Sequence, residues 1–75
     1  MITYTVNADH PSPEFRAQNL EVIVRRDRDG YWATAVGYGT SKTRATPEIC
    51  IREFLASHGC YNIRIVAKSP KMGVW

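Results

Sequence analysis

The chain has 75 residues, 44% of them hydrophobic and 23% charged, with a formal charge of +3. A chain of this length buries only about 60–65% of the surface its unfolded form exposes, which points to one domain with a modest core and away from a deep substrate pocket; the ordinary hydrophobic content argues against disorder. No apolar run approaches the ~20 residues of a membrane span and no basic segment followed by an apolar one opens the chain, so a cytoplasmic protein without membrane contact is expected.

Ile2, Tyr4 and Val6 alternate with Thr3, Thr5 and Asn7, which predicts a first strand over 2–7. Ser12-Pro13-Glu14-Phe15 combines a capping hydroxyl, a proline at the first helical position and an acid in the first turn, and predicts a short helix or a single 3₁₀ turn before Asn19. Leu20, Val22 and Val24 then alternate with Glu21, Ile23 and Arg25. The run ends in Asp27-Arg28-Asp29-Gly30 and resumes over 31–36, a hairpin whose positive φ is expected from Asp29-Gly30.

Thr46-Pro47-Glu48-Ile49 repeats the helix-start signature, and Cys50, Ile51, Phe54 and Leu55 share one face of the helix that follows, with Gly59 as its left-handed cap. Tyr61, Ile63, Ile65 and Ala67 alternate with Asn62, Arg64, Val66 and Lys68 in a last strand before Ser69-Pro70, leaving 69–75 as a C-terminal tail. The order strand, short helix, strand, strand, helix, strand predicts a single α+β domain over 1–75. It fits a ferredoxin-like or split βαβ arrangement, or an antiparallel sheet carrying one helix if the first helix is only a turn.

Cys50 and Cys60 lie too far apart along the helix axis to bridge each other, so both are expected as reduced, partly buried thiols. Gly37-x-Gly39 lacks the third glycine of a dinucleotide loop and the Gly-Lys-Ser/Thr of a phosphate loop. His58 and Cys60 lack a third group at catalytic or metal-ligand spacing. These readings favour a binding domain over an enzyme, with no cofactor and no metal.

Two stretches carry candidate contacts. Lys42 and Arg44 follow the glycines and stand at the mouth of the second helix, a place to meet an anion. On the sheet, Val22, Val24, Ile63 and Ile65 are assigned to the helix side, as are the small Ala33 and Ala35. Ile23, Arg25, Arg64, Val66 and Lys68 then fall on the outer face with Trp32, Thr34 and Val36. A surface mixing tryptophan, aliphatic residues and arginines has the composition of an interface hot spot, with Trp32 beside Arg25 and Arg64 as its anchor. The competing arrangement folds Met72, Val74 and Trp75 back over that face.

Gly37-x-Gly39-x-Ser41-Lys42-x-x-Ala45 resembles the strand-to-helix junction of the double-stranded RNA-binding domain family over roughly residues 22–58. The resemblance implies phosphate contact at Lys42 alone, because the family's next lysine positions hold Thr43 and Thr46 and Pro47 falls inside its helix. Over more of the chain, Arg-Asp-x-Asp-Gly-Tyr-Trp-Ala at 26–33 and the Thr-Pro-initiated helix at 45–57 look like small uncharacterised proteins of bacteriophages and mobile elements. That resemblance implies a stand-alone cytoplasmic protein, monomeric or a small homo-oligomer. It would dock on a host protein or nucleoprotein complex as an inhibitor, as CRISPR inhibitors of this size do. The alternative is nucleic-acid binding through Lys42, Arg44 and the sheet arginines.

Overall fold

Strict alternation makes the N-terminal segment a strand, β1 (Ile2–Asp9), with Tyr4, Val6 and Ala8 buried and the intervening residues turned to the other face. The structure, a computed structural model, describes residues 2–69. A 3₁₀ turn (Pro13–Phe15) leads to β2 (Ala17–Asp27), followed by β3 (Gly30–Ala35), β4 (Gly39–Thr40), α1 (Pro47–Ala56) and β5 (Tyr61–Ser69). The five strands form one antiparallel sheet in the order β4-β3-β2-β1-β5, with α1 on one face. The helix carries the chain from the β4 edge to the β5 edge.

The first helix signature yields only one turn. Ser12 makes no side-chain cap to the turn's backbone, and Phe15 stays 52% exposed. A segment with no apolar face to bury cannot offset the cost of helix nucleation, and Ala17 instead pairs with Ala8. Because β1 and β2 are direct antiparallel neighbours, their link is a return and not a βαβ crossover. The ferredoxin-like and split βαβ expectations are corrected on this point to an antiparallel sheet carrying one main helix.

The second signature works fully. Thr46 Oγ1 accepts a hydrogen bond from the Ile49 N–H at 3.2 Å, Pro47 occupies the first turn, and Cys50, Ile51, Phe54 and Leu55 are all buried. They pack on Val6, Val22, Val24, Ala33 and Ala35 in one cluster. Each large side chain so buried contributes about 1.5–3 kcal/mol.

At the C-terminal end the Cys60 N–H reaches the Leu55 carbonyl (3.1 Å) and the Gly59 N–H the Ala56 carbonyl (2.9 Å), a Schellman closure with Gly59 at φ 91°. Gly59 is needed twice, since a Cβ there would lie 2.8 Å from His10 Nε2. The Ser12 N–H donates to His10 Nδ1, so the proton sits on Nε2, which donates to the His58 carbonyl at 2.9 Å. That ring pins the loop after β1 to the end of α1.

Cys50 and Cys60 are both free and buried. Burial pushes the Cys60 thiol above its ordinary value. It does the same to the Tyr38 hydroxyl, with a smaller push from Cys60, and to the Tyr4 hydroxyl, with smaller pushes from Glu48 and Tyr31. All three groups hold their protons to higher pH folded than unfolded. Their contribution to stability is therefore complete below about pH 9 and is lost as pH rises through the ordinary Cys and Tyr range. The urea midpoint is expected to be lower at pH 10 than at pH 7, and an unchanged midpoint would contradict these burials.

Candidate functional site

The β2–β3 hairpin sets the register of the outer sheet face. Asp27 pairs with Gly30 and Arg25 with Trp32, and the positive φ falls on Gly30 (136°) and not on Asp29. Asp27 Oδ1 instead accepts from the Asp29 N–H at 2.9 Å and holds the turn. Side chains of directly paired residues share a face, so Arg25 and Trp32 stand together on the side away from α1. The Arg25 guanidinium lies 5.7 Å from the Trp32 ring centroid. Trp32 is half-buried, and no described helix lies on its side of the sheet.

The glycine-rich segment does something other than open the helix. Gly37 and Gly39, with φ of 85° and 79°, turn the chain back into β4, where Thr34 pairs with Thr40 and Ala35 with Gly39. The pairing continues past β4. The Ser41 N–H donates to the Ala33 carbonyl at 2.8 Å, and the Ala33 N–H donates to Ser41 Oγ at 2.8 Å. Beyond Ser41 the register shifts by one, since the next pair is Tyr31 with Arg44, and Lys42 and Thr43 together span the stretch opposite Trp32. Ser41 turns its hydroxyl to the helix side, 3.2 Å from Cys50 Sγ, and donates to the Lys42 carbonyl at 2.9 Å. Lys42 is exposed and lines the concavity between this segment and α1 with Cys50 and Glu53.

Beside the Arg25–Trp32 pair runs a row, Ser69, Thr3, Ile23, Thr34 and Thr40, joined strand to strand across all five strands. Its hydroxyls flank that pair. This row was not read from the sequence as a feature, because it depends on pairings between strands far apart in the chain.

Three expected members of the site are placed elsewhere. The Arg44 guanidinium is in a short ion pair with the Glu53 carboxylate, and its Nη1 donates to the Thr43 carbonyl at 2.8 Å. It is an internal strut between loop and helix, not an anion contact. Arg64 keeps the outer face but pairs with Asn7, three strands over and about six residues along from Trp32, which strand spacing of about 4.8 Å and rise of about 3.3 Å convert to roughly 24 Å. It is not a neighbour of the indole.

Lys68 pairs with Tyr4, a helix-side residue. Thr5 pairs with Ala67 and Val6 with Ile65, leaving Val66 as a bulge that reverses the alternation. Lys68 thus lines a helix-side groove of about 500 Å³ with Glu48 and Thr46. β5 also extends through Ser69, and the tail expected to cover the outer face lies outside the described residues from residue 70 on.

A second concavity of about 520 Å³ opens between the 40–44 loop and α1, lined among others by Ser41, Arg44, Cys50, Glu53, Phe54 and His58. Its floor is structural. The rings of Tyr38, Phe54 and His58 meet edge to face at 5.1 to 6.3 Å, and the Tyr38 hydroxyl donates to the Phe15 carbonyl. Cys60 is buried with its thiol pushed towards the neutral form, the opposite of an activated nucleophile.

Among the described residues, no His, Cys, Asp and Glu side chains gather in a group of three that could hold a metal ion. No described helix is long and apolar enough to cross a membrane. No family model, curated protein or solved structure matches the chain.

Proposed function

We propose that the chain is a non-enzymatic binding protein that docks through the outer face of its sheet, anchored at Trp32, on a host protein or nucleoprotein complex. The observation that carries this reading is the pairing of the Trp32 indole with the Arg25 guanidinium on a sheet face that no described helix covers. Tryptophan and arginine are the residues that most often dominate binding energy when they sit together at the centre of a contact. The resemblance to small bacteriophage proteins supports an inhibitory form of the same reading, anti-CRISPR-like, in which occupying the partner's surface is the activity. Nucleic-acid binding at a basic helix mouth is weaker, since Arg44 is engaged by Glu53.

Trp32→Ala tests the reading. Truncating an interface tryptophan commonly removes about 2 kcal/mol or more of affinity. Loss of one exposed cation–π pair and some packing costs about 1 kcal/mol of stability, or roughly 4–8 °C in a domain this small. Affinity capture with wild type and variant side by side, before and after nuclease, is expected to show a partner that only the wild type retains, while both give the same far-UV circular dichroism. Equal retention by the folded variant would remove Trp32 from the site.

A further inference from the structure

The edge of the sheet at β5 is closed at one end and open at the other. Among the described strands β5 pairs only with β1, so one side of its backbone faces outward. Near its start the Asn62 carbonyl accepts from Arg64 Nη1 at 2.8 Å and the Ile63 carbonyl from Arg52 Nη1 at 2.7 Å. Asn62, at φ 52°, also lies where the register with β1 shifts. Capped carbonyls and a bulge keep an edge strand from pairing. After the Val66 bulge, Ala67, Lys68 and Ser69 are back in regular register with Thr5, Tyr4 and Thr3, and no side chain caps their backbone among the described residues. This open stretch borders the groove of about 500 Å³ against the start of α1.

Charge selects what pairs there. β5 carries Arg64 and Lys68 and no acid, and Arg52 reaches over it from α1. A second copy of β5 laid alongside would bring cations against cations, which disfavours self-pairing and favours an acidic strand. Lys68 faces the groove beside its pair partner Tyr4, which is 5% exposed and whose hydroxyl has no hydrogen-bond partner among the described residues. No fully buried polar side-chain atom there lacks a partner, so that hydroxyl keeps an accessible face, and it opens on the groove that Tyr4 lines. Directly paired side chains stand about 5 Å apart, which lets the ammonium and the hydroxyl hold one carboxylate together. Glu48, on the other wall, opposes that carboxylate and makes no ion pair with Lys68 among the described residues.

We infer that the Ile65–Ser69 edge of β5 takes an extended acidic peptide segment as a sixth strand, with one of its carboxylates entering the groove to meet Lys68 and Tyr4. The alternating N–H and C=O groups of a peptide match the open backbone, a match that a nucleic-acid strand does not offer. Alternation then sets the sequence the edge prefers. An acid opposite Lys68 and an apolar residue opposite the half-buried Ile65 enter the groove together, while an acid opposite Arg64 falls on the other face. This surface is separate from the Trp32 face and does not rest on it.

Fluorescence anisotropy of a labelled Thr-Glu-Thr-Val-Glu-Thr peptide tests this, beside the same peptide with an N-methylated backbone, a counterpart with lysine for glutamate, and oligo-dT. The acidic peptide is expected to bind and to slow amide exchange within Ile65–Ser69, whereas N-methylation should abolish binding and lysine should weaken it. Lys68→Glu should weaken the acidic peptide about tenfold or more. Tyr4→Phe, which keeps the buried ring, should weaken it about two- to tenfold through one lost hydrogen bond. Glu48→Gln should strengthen it about two- to fivefold. Arg28→Glu, the same change of charge at the exposed hairpin tip, should leave it within about twofold.

Absence of binding at low salt, equal binding of the N-methylated peptide, or full affinity in folded Lys68→Glu would each overturn the inference. Tighter binding of oligo-dT than of the acidic peptide would overturn it by assigning the cations to phosphate. A concentration-dependent dimer with protected β5 amides would overturn it by giving the edge to a second copy. The docking reading at Trp32 stands or falls by its own capture experiment, whatever the peptide does.

Discussion

Phe54→Ala is expected to destabilise the fold by about 3–5 kcal/mol, the largest loss available from one core position. Phe54 is 4% exposed, packs in the cluster under α1, and is the ring against which both Tyr38 and His58 set their edges. Truncation removes its transfer energy, opens a cavity, and loosens the Tyr38 contact that ties the β3–β4 turn to the Phe15 carbonyl. At roughly 0.05–0.15 kcal/mol per residue, total stability is only about 4–11 kcal/mol, so the variant should be partly unfolded at 37 °C. Phe54→Leu, which retains apolar volume, should lose far less. Urea melts of the three proteins check the order; a Phe54→Ala midpoint equal to wild type would mean that α1 does not pack through this face.

Gly30→Ala should be nearly as damaging for a different reason. A Cβ at residue 30 would lie 2.4 Å from the Arg44 carbonyl oxygen and 3.1 Å from Thr43 Cγ2, at a φ of 136° that residues with a side chain rarely adopt. The oxygen cannot swing aside cheaply. It accepts the Tyr31 N–H at 2.8 Å, while the Arg44 N–H donates back to the Tyr31 carbonyl at 2.7 Å. Strain and overpacking of about 1–3 kcal/mol each add to an expected loss of about 2–6 kcal/mol. Gly37→Ala is the control, with positive φ but no atom within 4 Å of the added Cβ. It should cost only about 1–2 kcal/mol. Thermal melts that put the two variants level would deny the close approach.

The parts of this protein governed by a few consecutive residues were legible in its sequence. The alternation of Ile2, Tyr4 and Val6, the Thr46-Pro47 start and Gly59 stop of α1, its buried face, and the Asp27–Gly30 turn all appear in the structure. Each is set by local φ/ψ preference or by the period of burial. Identical local signals still diverged where tertiary burial differed. Ser12-Pro13-Glu14 made one 3₁₀ turn because nothing apolar followed it to be covered, whereas Thr46-Pro47-Glu48 was followed by Cys50, Ile51, Phe54 and Leu55.

What the chain does with its cations depended on the tertiary structure. A single bulged residue at Val66 moved Lys68 to the helix side, and a two-residue strand, β4, too short to show a period, turned the chain back along β3 so that Arg44 pairs with Tyr31. Glu53, nine residues from Arg44, took that guanidinium as a strut. Alternation along one strand is a local property and can be read from sequence. The register between strands is fixed by hydrogen bonds between residues distant in the chain, and a shift of one residue sends a side chain to the opposite face.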